Sequence, residues 1–275
     1  MRFTLIRFTP LLLILVCALG SQLASALPQT AAVPGGIVAI KLSDNLDVTP
    51  QAYYQKKPVS VIQHKQAWYA VIGLGLNTKV GDHFLVSQGK RYPFTVKDKQ
   101  YKEQHITLKT RKHIDLSEAD LNRHRGEKAK AKAVFNVFDD QQPLDLDFLK
   151  PVAGPYSSPF GLKRFFNGEP RNPHSGLDIA APTGTPIVSP SAGKVVLTGD
   201  FFFNGNVVYV DHGQGVISMF CHLNKIHVQE GDVLKKGQKL GEVGATGRVT
   251  GPHLHWSVSM NNARIDPMLL LPDEQ

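Results

Sequence analysis

Pro252-His253-Leu254-His255-Trp256-Ser257-Val258-Ser259-Met260 is the stretch on which the reading of this chain turns. Apolar Leu254, Trp256 and Val258 alternate with His253, His255 and Ser257, the period of a strand with one face in a core. At about 3.3 Å per residue, His253 and His255 then stand about 6.6 Å apart on one face and line the same cleft. Some seventy-five residues upstream lies His174-Ser175-Gly176-Leu177-Asp178, and between the two comes a lone Cys221-His222-Leu223. Imidazoles and a carboxylate in this grouping suit a catalytic Zn²⁺ site, which takes three protein ligands and leaves the fourth position for water. An H-x-H pair can place both rings on a metal, or one on it and one beside it. Spacing alone leaves that choice open.

Outward from these motifs the pattern is of short strands. Residues 186–189, 194–198, 207–211, 216–221 and 238–243 are brief apolar or β-branched runs separated by glycine-rich turns. Residues 37–41, 59–63, 67–74, 83–87 and 105–109 form a similar series nearer the start, divided by Gly75, Asn77, Gly81 and Asp82. Between the two series, residues 116–137 read as a helix. Ser117 is its N-cap, Glu118 and Asp120 lie in the first turn, and Lys and Arg crowd the later turns. Residues 139–154 lack a clear period and read as a connection. The basic run 123–132 reads as a solvated helix face.

The two motifs, with Ser158-Pro159-Phe160-Gly161 upstream and Gly247-Arg248-Val249-Thr250-Gly251-Pro252 leading into the second, resemble the lysostaphin/LytM-type zinc metalloendopeptidase family, the peptidoglycan endopeptidases of bacterial cell walls. The resemblance covers residues 155–270 or so. It implies that His174, Asp178 and His255 bind zinc and that His222 and His253 are catalytic. Cys221 departs from the family pattern, which commonly has Ala before the intervening His, and a small buried thiol should substitute there without changing the chemistry. Trp68-Tyr69-Ala70-Val71-Ile72-Gly73-Leu74 and Lys99-Gln100-Tyr101 resemble the small N-terminal β domain of one subgroup. Residues 228–238 have the texture of the lipoyl-like hairpin that the peptidase fold resembles. The expected fold is mainly β: a C-terminal lipoyl-like/LytM-type antiparallel β peptidase domain, preceded by a small β-sandwich domain and a linking helix. The expected segments are a signal peptide 1–26, the N-terminal β domain 27–115, the helix and linker 116–154, and the peptidase domain 155–275.

The signal-peptide expectation rests on Arg2 and Arg7, the apolar run 10–19, and Ala24-Ser25-Ala26. That run is shorter than the roughly twenty residues a spanning helix needs, so cleavage after Ala26 is favoured over a retained anchor. Ile14-Leu15-Val16 before Cys17 lacks the small residues of a lipobox. The mature chain of about 250 residues is long enough for two domains and keeps Cys221 as its sole cysteine, so an internal disulfide is excluded. Its net charge falls from +8 to +6 on losing Arg2 and Arg7. The surplus favours polyanionic surroundings, but export and the lack of an aromatic-interleaved basic stripe argue against nucleic acid.

The expected partner is therefore a peptidoglycan peptide, with no nucleic acid and no stable membrane insertion after cleavage; nothing in the sequence sets the oligomeric state. The expected function is a secreted or periplasmic zinc-dependent endopeptidase cutting peptidoglycan cross-links. Two other readings are a non-enzymatic wall-binding or amidase-activating module and a secreted protease of glycine-rich peptides. Arg164 and Asn172, just before His174, can either position an acidic substrate or anchor their loop. His212 reads as a hairpin-turn residue, and His64, His83, His105, His113, His124 and His227 as surface residues.

Overall fold

The structure, a computed structural model, describes residues 27–107 and 117–272. Residues 1–26 with Cys17, and His113, lie outside the described residues. The chain is mostly β, with one α-helix among the described residues.

The N-terminal part stacks two antiparallel sheets. One has the order Ile37–Ser43, Ala67–Gly73, Ser60–His64. The other has the order Lys57–Pro58, Ala52–Tyr54, Gly81–Ser87, Lys90–Val96. Val38, Val61, Ala70 and Ile72 of the first meet Ala52, Tyr54, Leu85 and Val96 of the second in one core. The unbroken apolar run Ala70-Val71-Ile72 follows from the first sheet being covered on both faces. Its other face sends Ile37, Ile62 and Val71 into the core of the C-terminal part. Polar contacts pin this docking. The Gly73 N–H donates to Asn261 Oδ1 at 2.7 Å, Asn261 Nδ2 donates to Gly73 O at 3.0 Å, and Ser60 Oγ donates to Gln214 O at 3.0 Å.

In the C-terminal part the main sheet runs Val233–Leu234, Gly193–Phe201, Gly205–Asp211, Ile217–Ile226, His253–Met260, Leu177–Ala180, Tyr156–Ser158. The expected strand around 252–260 thus lies beside the strand that follows His174. Trp256, Phe220, Leu254, Ile179, Val208 and Val210 fill the core on one face. On the opposite face Val207, Tyr209, Met219 and Cys221 pack beneath the helix Glu118–Phe135 (α1), whose Val134 is buried and whose Ser117 side chain caps Asp120 N. The basic residues of α1 are exposed, Arg123 with 45% of its side chain accessible. The solvated face read from the sequence is there.

Two expectations need correction. Residues 139–154 form no regular element, but they are more than a connection: Leu144, Leu146, Phe148 and Val152 are buried in the C-terminal core. Their contribution is invisible to period counting because an irregular strap buries side chains at no fixed interval. Residues 105–109, of which 108 and 109 lie outside the described residues, were expected as a strand of the N-terminal module. The strand observed is Glu103–Ile106, and it pairs in parallel with Lys163–Phe166, placing Gln104 opposite Arg164. Parallel partners are joined over long chain separations, so no hairpin signal marks the pair.

Candidate metal centre

Strand register builds the site. Asp178 lies directly opposite His255, which lies directly opposite Cys221 on its other side. Directly opposed residues have Cβ atoms only about 5 Å apart and share a face, so the Asp178 and His255 side chains must meet. Four residues before Asp178 the chain carries His174 over the same spot. Gly176 permits this crossing, because a Cβ there would sit 2.6 Å from His255 Cε1 and 2.5 Å from Ser257 Oγ.

Three atoms converge. His174 Nε2 stands 3.0 Å from both Asp178 Oδ1 and His255 Nδ1, and His255 Nδ1 stands 2.7 Å from Asp178 Oδ1. The outer nitrogens are engaged elsewhere. His174 Nδ1 donates to Pro159 O at 2.8 Å, and His255 Nε2 lies 2.9 Å from Ser257 Oγ. With its proton on Nδ1, neutral His174 turns a lone pair inward, toward a carboxylate oxygen and a second imidazole. A shared proton relieves one such pair at a time; a divalent cation offsets all three. Bonds of about 2.0–2.1 Å in tetrahedral geometry separate ligand atoms by about 3.3 Å, so the cluster need open by only a few tenths of an ångström. The donor set fits zinc.

The titration of Asp178 and His255 favours the ligand forms. Burial alone would raise the Asp178 carboxyl, but the His174 and His255 imidazoles bonded to it outweigh that and hold it well below the usual carboxylate range. Burial pushes the His255 imidazole down, against the pull of Asp178. Metal binding needs a neutral imidazole and an ionised carboxylate.

His222 and His253 share the cleft, their rings 4.9 Å apart. His222 Nδ1 donates to Thr246 O at 3.0 Å and His253 Nδ1 to Gly251 O at 2.9 Å, which leaves each Nε2 with a lone pair. His253 Nε2 is 4.0 Å from Asp178 Oδ1. Burial, then the neighbouring imidazoles, lower His222 to about 4, so it is neutral near pH 7. Its backbone is left-handed, φ +66°, a conformation that costs a non-glycine residue about 1–3 kcal/mol and clusters at functional sites. A cleft of about 580 Å³ surrounds these groups, lined also by Gln104, Arg164, Phe203, Asn204, Arg248 and Thr250.

The structure therefore brings together His174, Asp178, His222, His253 and His255. Arg164 lines the same cleft and donates to Ser158 Oγ at 3.1 Å, whereas Asn172 lines neighbouring hollows with Ser175 and Arg264. The partners Pro159 O, Thr246 O and Gly251 O that fix the rings were missed in the sequence, whereas Ser257 was already placed on the face of His253 and His255. Backbone carbonyls carry no residue-type signal. Gln104 and Phe203 were missed too, because they come from segments far from either motif. Cys221 is buried, receives a hydrogen bond from Asn204 Nδ2 at 3.2 Å, and has its thiol pushed up to about 12 by burial, so it is inert as a nucleophile.

His212 does follow a strand end, but turn chemistry does not explain it. It is fully buried, its Nδ1 donates to Ala192 O at 2.8 Å, Nε2 lies 2.9 Å from Ser218 Oγ, and its ring leans on Phe148. Burial lowers it to about 4 from the ordinary 6.5. The unfolded chain therefore takes up a proton below about 6.5 that the folded chain refuses until about 4. Stability present above pH 6.5 should be lost as pH falls through this window, by about 3 kcal/mol. Urea unfolding of metal-free protein between pH 7 and 4 checks this, and a His212→Gln variant with the same pH slope as the parent would remove His212 as the cause.

Residues 172–267 match the model of peptidase family M23, and residues 30–99 match that of the peptidase family M23 N-terminal domain. A solved structure from Pseudomonas aeruginosa described as a peptidase M23 is 44% identical, with a TM-score of 0.75 over 88% of this chain and 96% of that one. The peptidoglycan DD-endopeptidase ShyB of Vibrio cholerae is 42% identical over 96 residues, 35% of this chain and 22% of its own length. The DD-carboxypeptidase/endopeptidase Mpg of Neisseria meningitidis is 38% identical over 112 residues, 41% of this chain and 26% of its own. The match thus spans about a quarter of these two curated relatives.

Proposed function

We propose for this chain, which belongs to peptidase family M23, the function of a zinc-dependent endopeptidase that hydrolyses the peptide cross-links of peptidoglycan in the periplasm or outside the cell. The observation that carries this reading is the convergence of His174 Nε2, Asp178 Oδ1 and His255 Nδ1 within one cleft that also holds the imidazoles of His222 and His253. His174, Asp178 and His255 would hold the ion. Zinc in such a set supplies Lewis acidity, polarising a carbonyl and bringing the pKa of a water toward 7.

The chain's own residues supply the rest. His222 and His253, each with Nδ1 tied to a backbone carbonyl, offer Nε2 to accept a proton from the attacking water or to return one to the leaving amine. Thr246 and Gly251 hold these rings in the tautomer the work requires. Buried Asp178 stays ionised between its two imidazoles. Arg164 and Arg248 both line the cleft, and Asp178 is the sole carboxylate among the described residues lining it. Such a cleft favours a substrate bearing free carboxylates, as cross-links built on diaminopimelate do, over a string of glycines. That ShyB is described as a peptidoglycan DD-endopeptidase supports peptidoglycan as the substrate class.

Zinc-loaded protein should convert cross-linked dimers of diaminopimelate-type sacculi to monomers, read by mass spectrometry, and leave pentaglycine bridges intact. Chelation should stop the reaction. Failure to cut either wall would favour a non-enzymatic module, and preference for pentaglycine would favour the glycine-peptide protease.

A further inference from the structure

The helix α1 lies outside both family matches, yet it touches the wall of the cleft. Its Glu127 side chain, only 12% exposed, accepts the Phe202 N–H with both carboxylate oxygens at 3.0 Å. Arg123 Nε donates to Glu127 Oε1 at 2.7 Å, and Arg123 Nη2 donates to Asp200 O at 2.9 Å. The His124 ring meets Phe203 edge-on at 4.7 Å. One face of the helix thus grips the turn residues Phe202 and Phe203 and, at Asp200, the end of the preceding strand, Gly193–Phe201.

That turn carries the backbone of His222. Asn204 O accepts the His222 N–H at 2.8 Å, and the Asn206 N–H donates to Thr246 Oγ1 at 2.9 Å, while Thr246 O receives the proton of His222 Nδ1. A left-handed backbone at a residue other than glycine persists only where its surroundings hold it. The surroundings here are the turn 202–206 and Thr246, and the turn is held from outside by α1. The ion pair Arg123–Asp200 is exposed and adds little to stability, so the contacts act on geometry more than on folding.

We propose that α1 is a working part of the hydrolytic site and that Glu127 is a positioning residue, acting through the Phe202 N–H and the turn to set the place of His222. This rests on the hydrolytic reading of the cleft. A misplacement of a reacting group by about 1 Å can cost about a hundredfold in rate. In the full chain, Glu127→Ala should lower kcat on cross-linked muropeptide by about ten- to a hundredfold, with KM, zinc content and melting temperature near the parent's. Glu127→Gln keeps an acceptor oxygen for Phe202 and should recover kcat to within about threefold. Parental kcat in Glu127→Ala, an equal loss in Glu127→Gln, or a loss that tracks zinc or melting temperature would overturn the proposal. Should Glu127→Ala fail to fold, Glu127→Gln and the exposed-site variant Arg123→Gln decide it. There, Arg123→Gln should lose a few-fold in kcat by freeing Asp200, and parental kcat in Arg123→Gln overturns the inference. A parent that cuts no muropeptide sinks the hydrolytic reading instead, whereas an active parent beside a fully active Glu127→Ala sinks this inference alone.

Discussion

Zinc and activity should disappear together in His255→Ala. Its Nδ1 is one of three atoms held within 3.0 Å of one another, and removing it leaves His174 and Asp178 as a two-ligand site. Loss of a group that merely supports a ligand typically weakens metal binding ten- to a hundredfold, so loss of a ligand should exceed about a hundredfold. The variant also strips Asp178 of its closer imidazole, which weakens the hold that keeps this carboxyl ionised against burial. Metal analysis after dialysis should find about one zinc per parent chain and almost none per variant. Zinc should raise the melting temperature of the parent only, since a ligand present at a hundred times its Kd stabilises by about 2.7 kcal/mol. Equal zinc in the two proteins would refute the ligand role.

His222→Ala should separate metal from turnover. His222 touches none of the three converging atoms; it is held by Thr246 O and Asn204 O and presents Nε2 to the cleft. Zinc content should stay at the parent level while kcat falls by about 10²- to 10⁴-fold, the span typical of losing a positioned acid or base. Alanine tolerates φ +66° poorly, so backbone relaxation could mimic a catalytic loss. His222→Asn answers this, because asparagine adopts the left-handed region readily and still lacks the imidazole. Muropeptide cleavage by His222→Asn at the parent rate would reject the catalytic assignment.

Much of this was legible in the residues. The alternation in 252–260 and the short runs between glycines follow from one-sided burial, a period-two signal that survives in sequence; the strands His253–Met260 and Ile217–Ile226 lie where those runs are. Ser117 and the acidic first turn marked the start of α1 because capping is a local interaction. The strap 139–154 and the strand Glu103–Ile106 were misread for the converse reason, since their burial and pairing depend on partners distant in the chain. His212 shows the same limit. A histidine after a strand reads as turn chemistry until the three-dimensional packing encloses it.

Residue types and local spacing determined the mainly β character, the helix between two β regions, and a supply of imidazole and carboxylate able to bind a divalent metal such as zinc. They did so because hydrophobic period, capping and ligand chemistry are properties of neighbours along the chain. Tertiary structure decided which nitrogen of His174 and His222 faces inward, since that depends on Pro159 O and Thr246 O meeting rings from other segments. It also decided that the cleft is walled by Gln104 and propped by α1, because parallel pairing and helix docking join residues that no sequence period connects.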